Sequence, residues 1–214
     1  MFVEVEIKSG RNWVARSMRS TMNALGVMGS NRLSNKIFER LLVARHSPIE
    51  EYEVWVDAIV PERVHTHVVR HKELGKYVGT SRPDIKYHEP IEGGMRKLSL
   101  RLNGKRLIEV MQLRLCFKSW GDTVKLFQEI RKQLIVLDES WLRVLAPSCV
   151  WYGFCVEASN ECKYIGTTKY EKERERLIGD LHINKREAMG VESSHVTYSG
   201  NSKFPLTDAY NEVN

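Results

Sequence analysis

Arg70-His71-Lys72, Thr80-Ser81-Arg82 and Arg114 are the residues of this chain whose types and spacing best suit chemistry. Four cations and a histidine recur at intervals that could surround one planar, multiply charged anion. Arginine presents a rigid fork of donors that matches phosphate, carboxylate and ring carbonyls. Arg114 falls on a stripe otherwise made of Leu107, Val110 and Met111. An arginine on an apolar stripe is rarely buried unpaired, so it either reaches solvent or meets a ligand or carboxylate in a pocket. His67 and His71 are four residues apart, a helical spacing that can ligate zinc. The residues between them are Val-Val-Arg, no third ligand is evident, and Arg70 would repel a cation, so no metal is expected.

These residues need elements to position them. The start, MFVEVEIKSG, alternates apolar and charged residues and reads as a first strand without a signal-peptide layout. Residues 34–45 read as a helix capped by Ser34, with Ile37, Phe38, Leu41 and Leu42 on one face. Pro48 ends it. Residues 53–60 alternate as a half-buried strand. Pro61 suits the first position of a helix over 62–72, which places Arg63, His67, Arg70 and His71 on one face. Residues 73–95 hold four glycines and two prolines and read as a loop. Asn103 caps a helix that carries Arg114, and Asp122 caps a long amphipathic helix reaching about Leu145. A further helix is predicted at 169–178, and a charged tail beyond it is expected to be partly disordered or partner-dependent. No internal repeat appears.

Composition bounds the class. The 214 residues are 42% hydrophobic and 28% charged, the balance of an ordinary globular protein. No apolar run reaches the roughly 20 residues of a membrane span, so no membrane partner and a cytoplasmic location are expected. The net charge is +6, and residues 61–120 alone carry +7, so the positive excess sits with the motif. Such a cluster attracts phosphates and carboxylates. Nucleic acid is disfavoured as a partner, because the aromatic pairs of a stacking platform are missing. The four cysteines, Cys116, Cys149, Cys155 and Cys162, include no Cys-x-x-Cys knuckle. They are expected to be reduced thiols without a ligand role, with a partial metal site or a redox pair as the alternative.

Four stretches in order resemble the signature of the flavin-dependent thymidylate synthases, the ThyX family. Arg45-His46-Ser47-Pro48-Ile49-Glu50 is similar to the family's His-Glu-Ser/Thr-Pro-x-Glu turn. The stretch from His67 to Arg70-His71-Lys72 resembles Gln-x-x-Arg-His-Arg. After seven residues, Thr80-Ser81-Arg82 takes the Ser-x-Arg place. Asn103 precedes Arg114 by 11 residues, as the family's flavin-contacting Asn precedes its Leu-Arg. The likeness covers roughly residues 1–146, leaving 147–214 as a Cys-containing, charged extension.

The resemblance implies an α/β fold of the α+β type, a sheet packed with long amphipathic helices, and a homotetramer whose sites form at subunit interfaces. It implies FAD as cofactor, NADPH and methylenetetrahydrofolate as co-substrates, and dUMP as the nucleotide that is reductively methylated. Arg70, His71 and Lys72 would contact FAD, with Ser47, Glu50, Asn103, Lys105 and Glu109 completing the cofactor set. Thr80, Ser81 and Arg82 would hold the nucleotide, Arg82 through its phosphate, with His67 and Arg70 beside it. Arg114 would be the catalytic residue that activates the pyrimidine. Methylating a uracil at C5 needs nucleophilic character there, which a fixed guanidinium promotes by stabilising charge on the ring oxygens. Several positions depart from the pattern: Arg45-His46 replaces His-Glu, Lys72 replaces arginine, Thr80 replaces serine, and Glu109 and Lys118 stand where Asn and His are usual. These departures are compatible with a thymidylate synthase, with methylation or hydroxymethylation of another pyrimidine nucleotide, and with a fold reused for binding or as a scaffold.

Overall fold

A computed structural model describes residues 1–21, 33–70, 75–78, 93–156 and 162–178. It is an α+β fold built on a four-stranded antiparallel sheet in the order β1-β2-β4-β3. The strands are β1 (Phe2–Ser9), β2 (Glu53–Pro61), β3 (Gly75–Val78) and β4 (Met95–Asn103). The helices are α1 (Arg11–Thr21), α2 (Asn35–Ala44), α3 (Glu62–Val69), α4 (Gly104–Arg114), α5 (Gly121–Leu137), α6 (Ser148–Tyr152) and α7 (Thr168–Ile178). Short 3₁₀ turns run over Ser47–Glu51 and Glu139–Arg143.

Alternation along the central strands decides which face the helices cover. Val54, Val56, Ala58 and Val60 of β2 are buried, as are Leu98, Leu100 and Leu102 of β4. The opposite face is polar, where Arg101 pairs with Glu53 at 2.6 Å and Ser99 bonds Asp57. Edge strand β1 is not left open. The Gln133 side chain on α5 donates to Val3 O at 2.8 Å and accepts from Val5 N at 3.1 Å, closing part of the ladder from the side. The deepest aromatic cluster joins Phe38, Tyr52 and Trp141, with ring centroids 5.0–6.1 Å apart. Arg11 lies over Phe38 at 4.7 Å and donates to Asp138 at 2.9 Å, tying α1 to the end of α5.

Strand register sets where the helices begin. Glu53 pairs with Asn103 and Pro61 with Met95, so α3 and α4 leave the sheet from opposite ends. Each follows its strand directly and runs back across the apolar face. Gly104 is required at the start of α4, because a Cβ there would stand 2.5 Å from Ile49 O. That close approach presses the Ser47–Glu51 turn against the first turn of α4.

Several predicted boundaries shift. Helix α5 stops at Leu137 rather than near Leu145, because the Asp138 carboxylate accepts from Ser140 N at 3.1 Å and starts a 3₁₀ turn. Trp120, not Asp122, is the N-cap; Asp122 sits in the first turn, bonded to Arg63 and to Lys125 at 3.3 Å. Pro61 closes β2 and caps α3, which ends at Val69 instead of continuing to 72. The stretch 73–95 contains β3 and the first residue of β4. Ser34 and Asn103 cap α2 and α4 as expected, accepting from Ile37 N and Arg106 N. Beyond residue 146, Cys149, Val150, Tyr164, Tyr170 and Leu177 join the same hydrophobic core. Ser148 Oγ donates to Gln112 O at 3.1 Å, fastening α6 to α4. The tail 179–214 lies outside the described residues.

Candidate functional site

His67 stands on α3, on the side facing α5, one residue before buried Val68. Helix α4 delivers Arg114 from its last turn, after Leu107, Val110 and Met111 have buried the rest of its stripe. Helix α5 supplies Thr123 two residues past its start, and that side chain is fully buried. The three form a chain: Arg114 Nη1 lies 2.8 Å from His67 Nε2, and His67 Nδ1 lies 3.0 Å from Thr123 Oγ1. A guanidinium can only donate, so Nε2 accepts and the ring proton resides on Nδ1, which donates to Thr123.

The electrostatics agree with that tautomer. Burial, then the positive charges of Arg114 and Arg70, hold the His67 pKa below its ordinary value. The imidazole is therefore neutral near pH 7 and available as an acceptor. Burial also lowers the Arg114 pKa, although a guanidinium stays protonated at any working pH. Trp120 closes one side, its ring 6.4 Å from that of His67 and 4.9 Å from the Arg63 guanidinium. The arrangement holds a cation in a partly desolvated corner, with the neutral His67 ring among its partners.

A second group of predicted residues gathers at the other end of α4. Lys105 Nζ is 3.1 Å from Glu50 Oε1, and Arg106 Nη1 is 2.6 Å from Glu109 Oε2. Asn103 Oδ1 accepts from Arg106 N at 2.9 Å, which leaves its amide nitrogen as a donor. Ser47 and Glu50 are exposed on the adjoining turn. At 1.5 Å of rise per residue, Asn103 and Arg114 stand about 16 Å apart along the axis. Arg70, the C-cap of α3, is exposed and near enough to His67 to act on its charge. His71, Lys72, Thr80, Ser81 and Arg82 lie outside the described residues. So does the partner in the His67–His71 spacing.

Thr123 and Trp120 were not legible as site residues. Thr123 leaves one signal, a threonine beside Val124 at the start of an apolar stripe; a buried hydroxyl there needs a partner. Trp120 leaves none, because a tryptophan ahead of a helix is equally suited to packing.

No protein-family model matches the chain, and no curated protein does either. Solved structures do. The flavin-dependent thymidylate synthase ThyX from Helicobacter pylori, complexed with FAD and dUMP, matches with a TM-score of 0.53 at 11% identity, over 67% of this chain and 99% of that one. A UMP/dUMP methylase, PolB, from Streptomyces cacaoi, bound with 5-Br dUMP, matches with a TM-score of 0.48 at 12% identity, over 65% of this chain and 93% of that one. The chain shares the fold of the flavin-dependent thymidylate synthases.

Proposed function

We propose that this protein is a flavin-dependent thymidylate synthase, which methylates dUMP at C5 with methylenetetrahydrofolate as carbon donor and NADPH as reductant. The observation that carries the reading is the Arg114–His67–Thr123 chain, set in a fold shared with ThyX. In this reading the Arg114 guanidinium faces the pyrimidine carbonyls. Charge that accumulates on those oxygens is stabilised by a cation already oriented before the substrate arrives, so little reorganisation opposes the reaction. C5 then gains the nucleophilic character needed to accept a one-carbon unit. Neutral His67 holds the guanidinium without neutralising it, a task that a carboxylate could not perform.

The opposite end of α4 fits a flavin dinucleotide in its donor set. Lys105 and Arg106 supply cations for a diphosphate, Asn103 supplies an amide donor, and Glu50 and Glu109 supply acceptors. Bound FAD would pass a hydride from NADPH to the transferred carbon. Overall, dUMP, methylenetetrahydrofolate, NADPH and a proton become dTMP, tetrahydrofolate and NADP⁺. In a homotetramer, different copies would complete each site, the nucleotide corner of one meeting the flavin edge of another, which on a single α4 lie about 16 Å apart. Residues 1–146 would form the catalytic part and 147–214 its extension.

Incubation of purified protein with dUMP, FAD, methylenetetrahydrofolate and NADPH tests the reaction. The expected product is dTMP, with formation dependent on all three added factors. Tight FAD binding without conversion of dUMP would leave the fold intact and sink the reaction.

A further inference from the structure

All four cysteines of the chain converge on one cavity, although they are spread over 47 residues of sequence. Cys116 comes from the turn after α4, Cys149 from α6, and Cys155 and Cys162 from the segments that follow. None is in a disulfide. The rest of the lining is apolar, as at Phe117 and Val156, or polar without a carboxylate or imidazole, as at Gln112, Ser148, Lys163 and Tyr164, so the sulfurs are its principal metal-ligating atoms. The Cys149 thiol is raised to about 11 by burial first and then by each of the other three thiols, which places all of them near it.

We propose that Cys116, Cys149, Cys155 and Cys162 hold an iron–sulfur cluster of the four-cysteine class. The convergence is the argument: four thiols around one cavity is the ligand set of such a cluster or of a structural zinc. The size of the cavity favours the cluster. Among the described residues no three such side chains stand close enough to hold a single metal ion. The thiols instead surround a space of about 60 Å³, several times the roughly 10–15 Å³ that one water-sized group needs. A single zinc draws its sulfurs to about 2.3 Å and leaves no such room, whereas a cluster keeps its cysteines apart around a core of several atoms. On binding, each thiol gives its proton to solvent as its sulfur bonds one iron.

The position gives the cluster a task. Cys116 lies two residues beyond Arg114, and the other three ligands belong to the part of the chain after residue 146. The cluster would staple that part to the end of α4 and fix the turn from which Arg114 projects. Sequence spacing alone hides this, because Cys116 is separated from Cys149 by 32 residues and no Cys-x-x-Cys pair marks the site.

Full-length protein purified without oxygen and reconstituted with iron and sulfide tests the assignment by metal and acid-labile sulfide content and by visible charge-transfer absorbance. About two irons with two sulfides, or about four with four, are expected per chain. Cys155→Ser and Cys162→Ser, both at half-exposed positions, should lose them with the helical circular-dichroism signal retained. Lys163→Ala, which lines the same cavity without a thiol, should keep them. Reconstituted protein without iron and sulfide would overturn the proposal, as would undiminished content in both serine variants. One zinc per chain without sulfide would overturn the cluster as well.

Discussion

Arg114 is useful only because His67 is neutral. A protonated imidazole would have no lone pair for the guanidinium and would repel it. The His67 pKa is depressed, so the folded state binds its proton less readily than the unfolded chain does. The contact therefore contributes fully above the ordinary histidine value of 6.5 and is lost as pH falls below it. A ring-proton NMR titration should give His67 a midpoint below 6.5 and the Nδ1–H tautomer at neutral pH; a midpoint above 6.5 would contradict the chain. At this scale the sequence was partly legible. Arg114 stood out because it interrupts an apolar stripe, and His67 because it shares a helix face with Arg63, Arg70 and His71. Their meeting did not, since nothing in either stretch states that two helices from opposite ends of a sheet come together.

Helix α4 carries both candidate groups, and its start is where a single atom matters most. Gly104→Ala would place a methyl against Ile49 O, forcing the Ser47–Glu51 turn away from the helix. Overpacking of this kind costs about 1–3 kcal/mol. Denaturant unfolding should show that loss, and FAD affinity should fall with it if the flavin edge is correctly placed; an unchanged midpoint would mean that the turn yields freely. Elements with a cap and a clear period were legible: α2 behind Ser34, β2, and α4 behind Asn103. Others were not. Residues 11–21 offer little beyond Trp13, Val14 and Met18 as apolar signal, so α1 was unmarked. In 139–145, Trp141 and Leu145 keep a helical spacing while the backbone has already tightened into a 3₁₀ turn at Asp138, so periodicity ran on past the true end of α5.

The molecule as a whole joins residues 148–178 to the core that also packs the sheet, through Cys149, Val150, Tyr164, Tyr170 and Leu177. The resemblance stopped near residue 146 and did not reveal this packing, because the anchoring side chains are few and widely spaced. Among the described residues no helix is long and apolar enough to cross a membrane. Light scattering of the purified protein should read a homotetramer. A monomer that still formed dTMP would refute the proposed sharing of sites between copies.

The central claim, that Arg114 activates the pyrimidine, is tested most directly by tritium release from [5-³H]dUMP in the presence of FAD, methylenetetrahydrofolate and NADPH. Removing one oriented donor from a site of developing charge costs about a hundredfold to a thousandfold in rate. Arg114→Ala should lose release on that scale while keeping its circular-dichroism spectrum, and Arg114→Lys, with a charge but no fork, should recover only part of it. Release by Arg114→Ala at the rate of the unaltered protein would contradict the account.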